Sequence, residues 1–141
     1  MAPREPRARD AAGRPVPTGS ADAVEPVPEQ ALPPEQALAL ARDLLAQDRP
    51  FFAHDVLEAR WKAAPPDERD LWQGLAQVCV GLTHLQRGNV AGGARLLRRG
   101  AGRLSGYAGP AYDVETAAVA RQAVQLAEAV EAGHEREPIT L

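Results

Sequence analysis

The sequence has little cysteine, few aromatic residues and no long hydrophobic run, and each shortage excludes a class of protein. Cys79 is the only cysteine among 141 residues, so no disulfide can form within the chain. No apolar run approaches the roughly 18 residues of a membrane-spanning helix. The opening residues MAPREPRARD also lack the apolar stretch of a signal peptide. We therefore expect a cytoplasmic protein that does not bind membranes.

The charge balance argues against nucleic acid as a partner. The formal net charge is -3 at pH 7, whereas proteins that bind nucleic acid through its phosphates present a basic surface. A small ligand or a protein partner remains compatible with this composition. The sequence does not determine the oligomeric state.

The apolar residues that are present favour helices. Hydrophobic residues make up 45% of the chain but aromatic residues only 4%, so Ala, Leu and Val supply most of the apolar surface. Ala and Leu are good helix formers, and no segment alternates in the manner of a strand. Proline, glycine and capping residues separate the apolar runs and mark the ends of the predicted helices. We predict an all-α, single-domain antiparallel bundle of about five helices. The first three expected helices run from Pro33–Pro34 to about Asp48, from Pro50 to Ala64, and from Pro66 to about Arg87. The fourth follows Asn89 as its cap and runs to about Leu104, before a loop from Ser105 to Tyr112. The fifth runs from Val114 to about Glu131, with Asp113 as its N-cap.

The chain divides into three segments by composition. Residues 1–31 are rich in Pro, Arg and Ala and contain little apolar surface to bury, so they are predicted to be a disordered tail. Residues 32–132 are predicted to form the helical domain. Residues 133–141 are predicted to be a C-terminal tail.

The second predicted helix carries large aromatic side chains on the same face as ionisable ones. Four residues recur at i, i+3, i+7 and i+10 and share one stripe; they are Phe51, His54, Glu58 and Trp61. Two large aromatics predict that this stripe is buried or forms the wall of a groove. His54 and Glu58 are then carried inward, where an unpaired charge is unfavourable. Asp55 lies at the edge of the stripe.

The third predicted helix has a polar row opposite its leucines. Gln73, Gln77 and His84 lie on that row. If the row faces the second helix, His54, Glu58 and His84 converge. We call the six polar residues of the two helices the candidate polar cluster: His54, Asp55, Glu58, Gln73, Gln77 and His84.

Three roles for this cluster remain open from the sequence. In the first, its members hydrogen-bond to one another or bind a small ligand or metal. Two histidines and a carboxylate, here His54, Glu58 and His84, suit a divalent transition metal with open coordination positions. In the second, the same three residues act in a His-based or metal-assisted enzyme, for example a hydrolase. In the third, the domain is a protein-interaction module. A structural or binding role is favoured over catalysis.

The motifs of these helices resemble a known family. The stretch from Phe51 to Glu58, followed by Trp61, is similar to the FFxAHExLExxW signature of the domain of unknown function 309 family. The resemblance continues in Gln73-Gly74-Leu75, in His84-Leu85 with Arg87-Gly88-Asn89, and in Gly93-Ala94 with Leu97, and it covers about residues 35–130. Asp55 stands where the signature has Glu, and one residue fewer separates Phe52 from His54. The resemblance implies a small all-helical protein and supplies no reaction.

Overall fold

A computed structural model describes residues 8–17 and 19–141 of the chain. It contains five α-helices and one short 3-10 turn, Pro66–Glu68. The helices are α1 Pro34–Ala46, α2 Pro50–Ala63, α3 Arg69–Gln86, α4 Val90–Ser105 and α5 Thr116–Glu131. Among the described residues there is no strand, only two isolated β-bridges that involve Arg9. The predicted all-α bundle of about five helices is confirmed.

The local sequence explains most helix boundaries. Pro34 and Pro50 occupy the first positions of α1 and α2, where a missing backbone N–H is tolerated. The Asn89 side chain accepts a hydrogen bond from the backbone N–H of Gly92 at 3.0 Å, so it caps α4 as its residue type favours. The expected cap of α5 is wrong. Asp113 has a left-handed backbone with φ 73°, and its carboxylate pairs with Arg42, so α5 begins at Thr116.

Helix α3 is the centre of the bundle. Consecutive helices pack against each other along the chain, and α3 contacts both α2 and α4 extensively. Its largest inward side chains are fully buried: Leu71, Trp72, Leu75, Val78 and Cys79. Burial raises the pKa of the Cys79 thiol to about 12, so this cysteine is a packing residue and not a thiolate. No helix in the described part of the chain is long and apolar enough to cross a bilayer.

The two terminal segments lie against the helices. Residues 1–7 and 18, which belong to the predicted disordered tail, are outside the described residues. The remainder of that tail forms turns on the surface, and disorder of residues 1–31 stays a prediction. At the other end, Ile139 is buried, and Thr140 exchanges two hydrogen bonds of 2.9 Å with the Gln122 side chain. The segment after α5 is therefore without helix but packed.

An ion pair also anchors the C-terminal segment to the loop between α1 and α2. Two nitrogens of Arg136 donate to the two carboxylate oxygens of Asp48, each at 2.8 Å. The Arg136 hydrogen bonds hold the pKa of Asp48 below its ordinary value of 3.8, although partial burial opposes this shift. Because the folded pKa is depressed, the pair stabilises the fold above pH 3.8 and loses that contribution as the pH falls through the folded pKa.

We expect Asp48→Asn to lower the free energy of unfolding at pH 7 by about 0.2–1 kcal/mol, the range for solvent-exposed pairs. Asparagine tolerates the left-handed backbone at this position, where φ is 56°. Urea unfolding of both proteins at pH 7 and at pH 2 measures the effect. The difference should be smaller at pH 2 than at pH 7, because the pair loses its contribution as Asp48 is protonated. A difference of unchanged size would show that the loss has another cause.

Candidate functional site

Three ionisable side chains of α2 meet on one helix face. The His54 Nε2 atom lies 2.8 Å from a carboxylate oxygen of Glu58 one turn later. The His54 Nδ1 atom lies 3.4 Å from a carboxylate oxygen of Asp55. Helical spacing makes the i, i+4 contact local, so α2 forms this group without help from other helices. We call His54, Asp55 and Glu58 the α2 cluster.

The electrostatics of the α2 cluster favour a cationic or metal-bound imidazole. Burial lowers the pKa of His54, but the nearby carboxylates of Asp55 and Glu58 outweigh this effect and raise the pKa above its ordinary value. Nδ1 is shielded from solvent and, at 3.4 Å from Asp55, makes no hydrogen bond with good geometry to any described residue. The Asp55 contact is therefore an ionic one. One ring nitrogen remains without the partner that a buried polar atom normally has.

The two aromatic residues of the predicted stripe flank the α2 cluster differently. The Phe51 ring centroid lies 5.8 Å from the imidazole centroid of His54, so Phe51 is a direct neighbour of the cluster. Trp61 is half-buried and packs at the edge of the hydrophobic core. The stripe is thus a partly covered surface and not a fully buried one. Its histidine and two carboxylates stay partly accessible, with side-chain exposures of 20% for His54, 38% for Asp55 and 34% for Glu58.

Two members of the polar row of α3 contact polar residues of the segment that follows α3. The His84 Nδ1 atom lies 3.0 Å from the amide nitrogen of Asn89, the cap of α4. The Gln77 side chain accepts a hydrogen bond from Arg103 of α4 at 3.1 Å. Gln73 is half-buried and makes no side-chain hydrogen bond to another described residue. His84 does not join His54 and Glu58 in a group of three ligand atoms within 4.8 Å in the described part of the chain, and the convergence of these three residues stays a prediction.

The donor set of the α2 cluster fits a divalent metal ion. One ligand atom from each of His54, Asp55 and Glu58 lies within 4.8 Å of the other two, and no other such group of three is found among the described residues. Ligand atoms on one Zn²⁺ lie within about 4.2 Å of each other, because each bond is about 2.1 Å long. The three ligand atoms must therefore move closer together to share one ion. One imidazole and two carboxylates suit Zn²⁺, Mn²⁺ or Fe²⁺ and leave coordination positions open.

A second polar group was not expected from the sequence. The carboxylate of Glu68 is buried and accepts hydrogen bonds from the indole N–H of Trp72 at 3.2 Å and from the hydroxyl of Tyr112 at 2.8 Å. The sequence signal was the i, i+4 spacing of Glu68 and Trp72. Tyr112 comes from the distant loop between α4 and α5, so no local pattern shows it. Because Glu68 and Trp72 are buried, we regard this group as structural.

Comparisons with known proteins find similarity over part of the chain. Residues 38–96 match a family described as Domain of unknown function (DUF309). Over 48 residues the chain is 44% identical to Uncharacterized protein YpuF of Bacillus subtilis (strain 168). The match covers 33% of this chain and 28% of that relative, so the chain spans less than a third of the relative's length. No solved structure matches the chain.

Proposed function

We propose that this chain, whose residues 38–96 match the domain of unknown function 309 family, binds one divalent transition-metal ion through His54, Asp55 and Glu58. The observation that carries the proposal is the approach of three ligand atoms of different side chains to within 4.8 Å on a partly exposed helix face. The proposal concerns binding and includes no reaction.

The position of the α2 cluster supports binding over a purely structural role. A structural hydrogen-bond network fixes the register of two helices through contacts between them. All three residues here belong to α2, so their mutual contacts fix no register between helices. The partly exposed carboxylates leave an approach for an ion, and the side chain of Lys62, 3.3 Å from Glu58 and 67% exposed, is free to move away.

Metal titration of the full chain tests the proposal. After chelator treatment, the wild-type protein should bind one equivalent of Zn²⁺ or Mn²⁺ in isothermal titration calorimetry. We expect His54→Ala and Glu58→Gln each to weaken binding by about 100-fold or more, since loss of an outer-shell partner alone weakens metal binding 10–100-fold. Binding of no metal by the wild-type protein would refute the proposal.

Two histidine variants serve as controls. His84→Ala separates the site seen in the structure from the one expected from the sequence, because His84 lies against Asn89. His134→Ala removes an exposed histidine outside α2 and reports non-specific binding by imidazole. Both should retain wild-type affinity. If His84→Ala loses as much affinity as His54→Ala, the assignment of the ligands to α2 is wrong.

A further inference from the structure

The N-terminal segment rests on the aromatic residue beside the α2 cluster. Gly13 is buried against the Phe51 ring, and a Cβ atom built on Gly13 would overlap that ring. The guanidinium of Arg9 lies 5.0 Å from the ring centroid. Arg87, at the C-terminal end of α3, lies 5.5 Å from the same centroid. Both distances are within the range of a cation–π interaction.

Hydrogen bonds from the two arginines also hold the turn at Gly13. Arg87 donates from Nε at 3.1 Å and from Nη2 at 2.8 Å to the backbone carbonyl of Ala12. Arg9 donates to the carbonyl of Gly13 at 2.6 Å. The two arginines therefore hold adjacent carbonyls of one turn while their guanidinium groups approach the Phe51 ring. The turn requires a glycine at position 13. The φ angle of Gly13 is 79°, and its α-carbon lies against the Phe51 ring, where a side chain would not fit.

The segment also has a local fold of its own. The backbone N–H of Val16 donates to Ala8 at 2.9 Å, and that of Val24 donates to Arg9 at 2.8 Å. These bonds close the chain around the turn at Gly13. The segment is nevertheless poor in apolar residues and has no core, so its local hydrogen bonds do not by themselves offset the entropy of ordering.

We infer that residues 9–16 are an intramolecular ligand of the surface formed by Phe51 and Arg87, which we call the Phe51 surface. The occupant is an arginine-bearing glycine turn of the same chain. Its binding orders a segment whose composition alone predicts disorder. Since Phe51 adjoins His54, the docked turn lies beside the α2 cluster, and its release uncovers an aromatic ring there.

Two glycine variants of the full chain test this assignment. Gly13 and Gly19 have nearly equal φ angles of 79° and 83°, so alanine is placed in the left-handed region at either position. Only at Gly13 does the added methyl group meet Phe51, since nothing lies within 4 Å of a Cβ on Gly19. Gly19→Ala is therefore the matched control for Gly13→Ala.

Hydrogen–deuterium exchange of the Val16 and Val24 amides, in buffer with chelator, measures docking without any metal. We expect these amides to exchange about tenfold faster in Gly13→Ala than in Gly19→Ala, and Phe51→Leu to match Gly13→Ala. Equal exchange in the two glycine variants would overturn the assignment. Protection that rises with protein concentration would also overturn it, because the turn would then dock on a second copy.

Discussion

Replacement of Trp72 by alanine is expected to lower the free energy of unfolding by about 3–5 kcal/mol. The side chain is completely buried, and its ring lies 5.9 Å from that of Tyr112. Alanine would leave a cavity at the centre of the bundle. It would also remove one of the two donors to the buried carboxylate of Glu68, and a buried acceptor that loses a partner is destabilising. Urea unfolding followed by circular dichroism measures the loss.

The other tryptophan is the matched control. Trp61 is half-buried at the edge of the core, so Trp61→Ala should lower the free energy of unfolding by a smaller amount, about 1–2 kcal/mol, because less apolar area returns to water. Equal losses in the two variants would mean that the aromatic stripe of α2 is buried as deeply as α3. That result would also argue against an accessible α2 cluster.

Gly100→Ala is expected to lower the free energy of unfolding by about 1–3 kcal/mol, as overpacking of a filled interface does. A Cβ atom at this position would lie 2.7 Å from the backbone carbonyl oxygen of Gly74 and 2.7 Å from a methyl carbon of Val78. A backbone atom cannot rotate away as a side chain can, so α3 and α4 would have to separate. Thermal and urea unfolding measure the effect.

Gly102→Ala, in the same helix, is expected to raise the free energy of unfolding. Nothing lies within 4 Å of a Cβ atom at Gly102, and alanine is a better helix former than glycine by about 1 kcal/mol. This variant should therefore be more stable than the wild type. A stabilising effect in both variants would show that α3 and α4 are not in close contact at Gly100.

The helices could be predicted from the sequence because their signals are local. Prolines at the first positions of α1 and α2 and the Asn89 cap act within one turn, and the structure confirms each. The α5 boundary was less predictable. Asp113 has a capping residue type, but its ion pair with Arg42 and its left-handed backbone depend on where α1 lies.

The α2 and α3 residues of the candidate polar cluster also differ in how far the sequence predicts their contacts. The contact between His54 and Glu58 follows from i, i+4 spacing on one helix, so the sequence alone was enough to find it. The direction of the α3 row was not predictable, because a helical pattern shows which residues share a face and not which neighbour that face meets. Arg103 and Asn89 of the following segment bind Gln77 and His84.

By itself, the sequence determined the all-helical class, most helix boundaries and the pairing of His54 with Glu58 on an aromatic face of α2. Each of these depends on residues within about one to three turns of helix. Only the tertiary structure decided that Gln77 binds Arg103 of α4, that the buried carboxylate of Glu68 accepts hydrogen bonds from Trp72 and Tyr112, and that the turn at Gly13 lies on Phe51. These contacts join residues far apart in the chain, and their geometry depends on how whole helices pack.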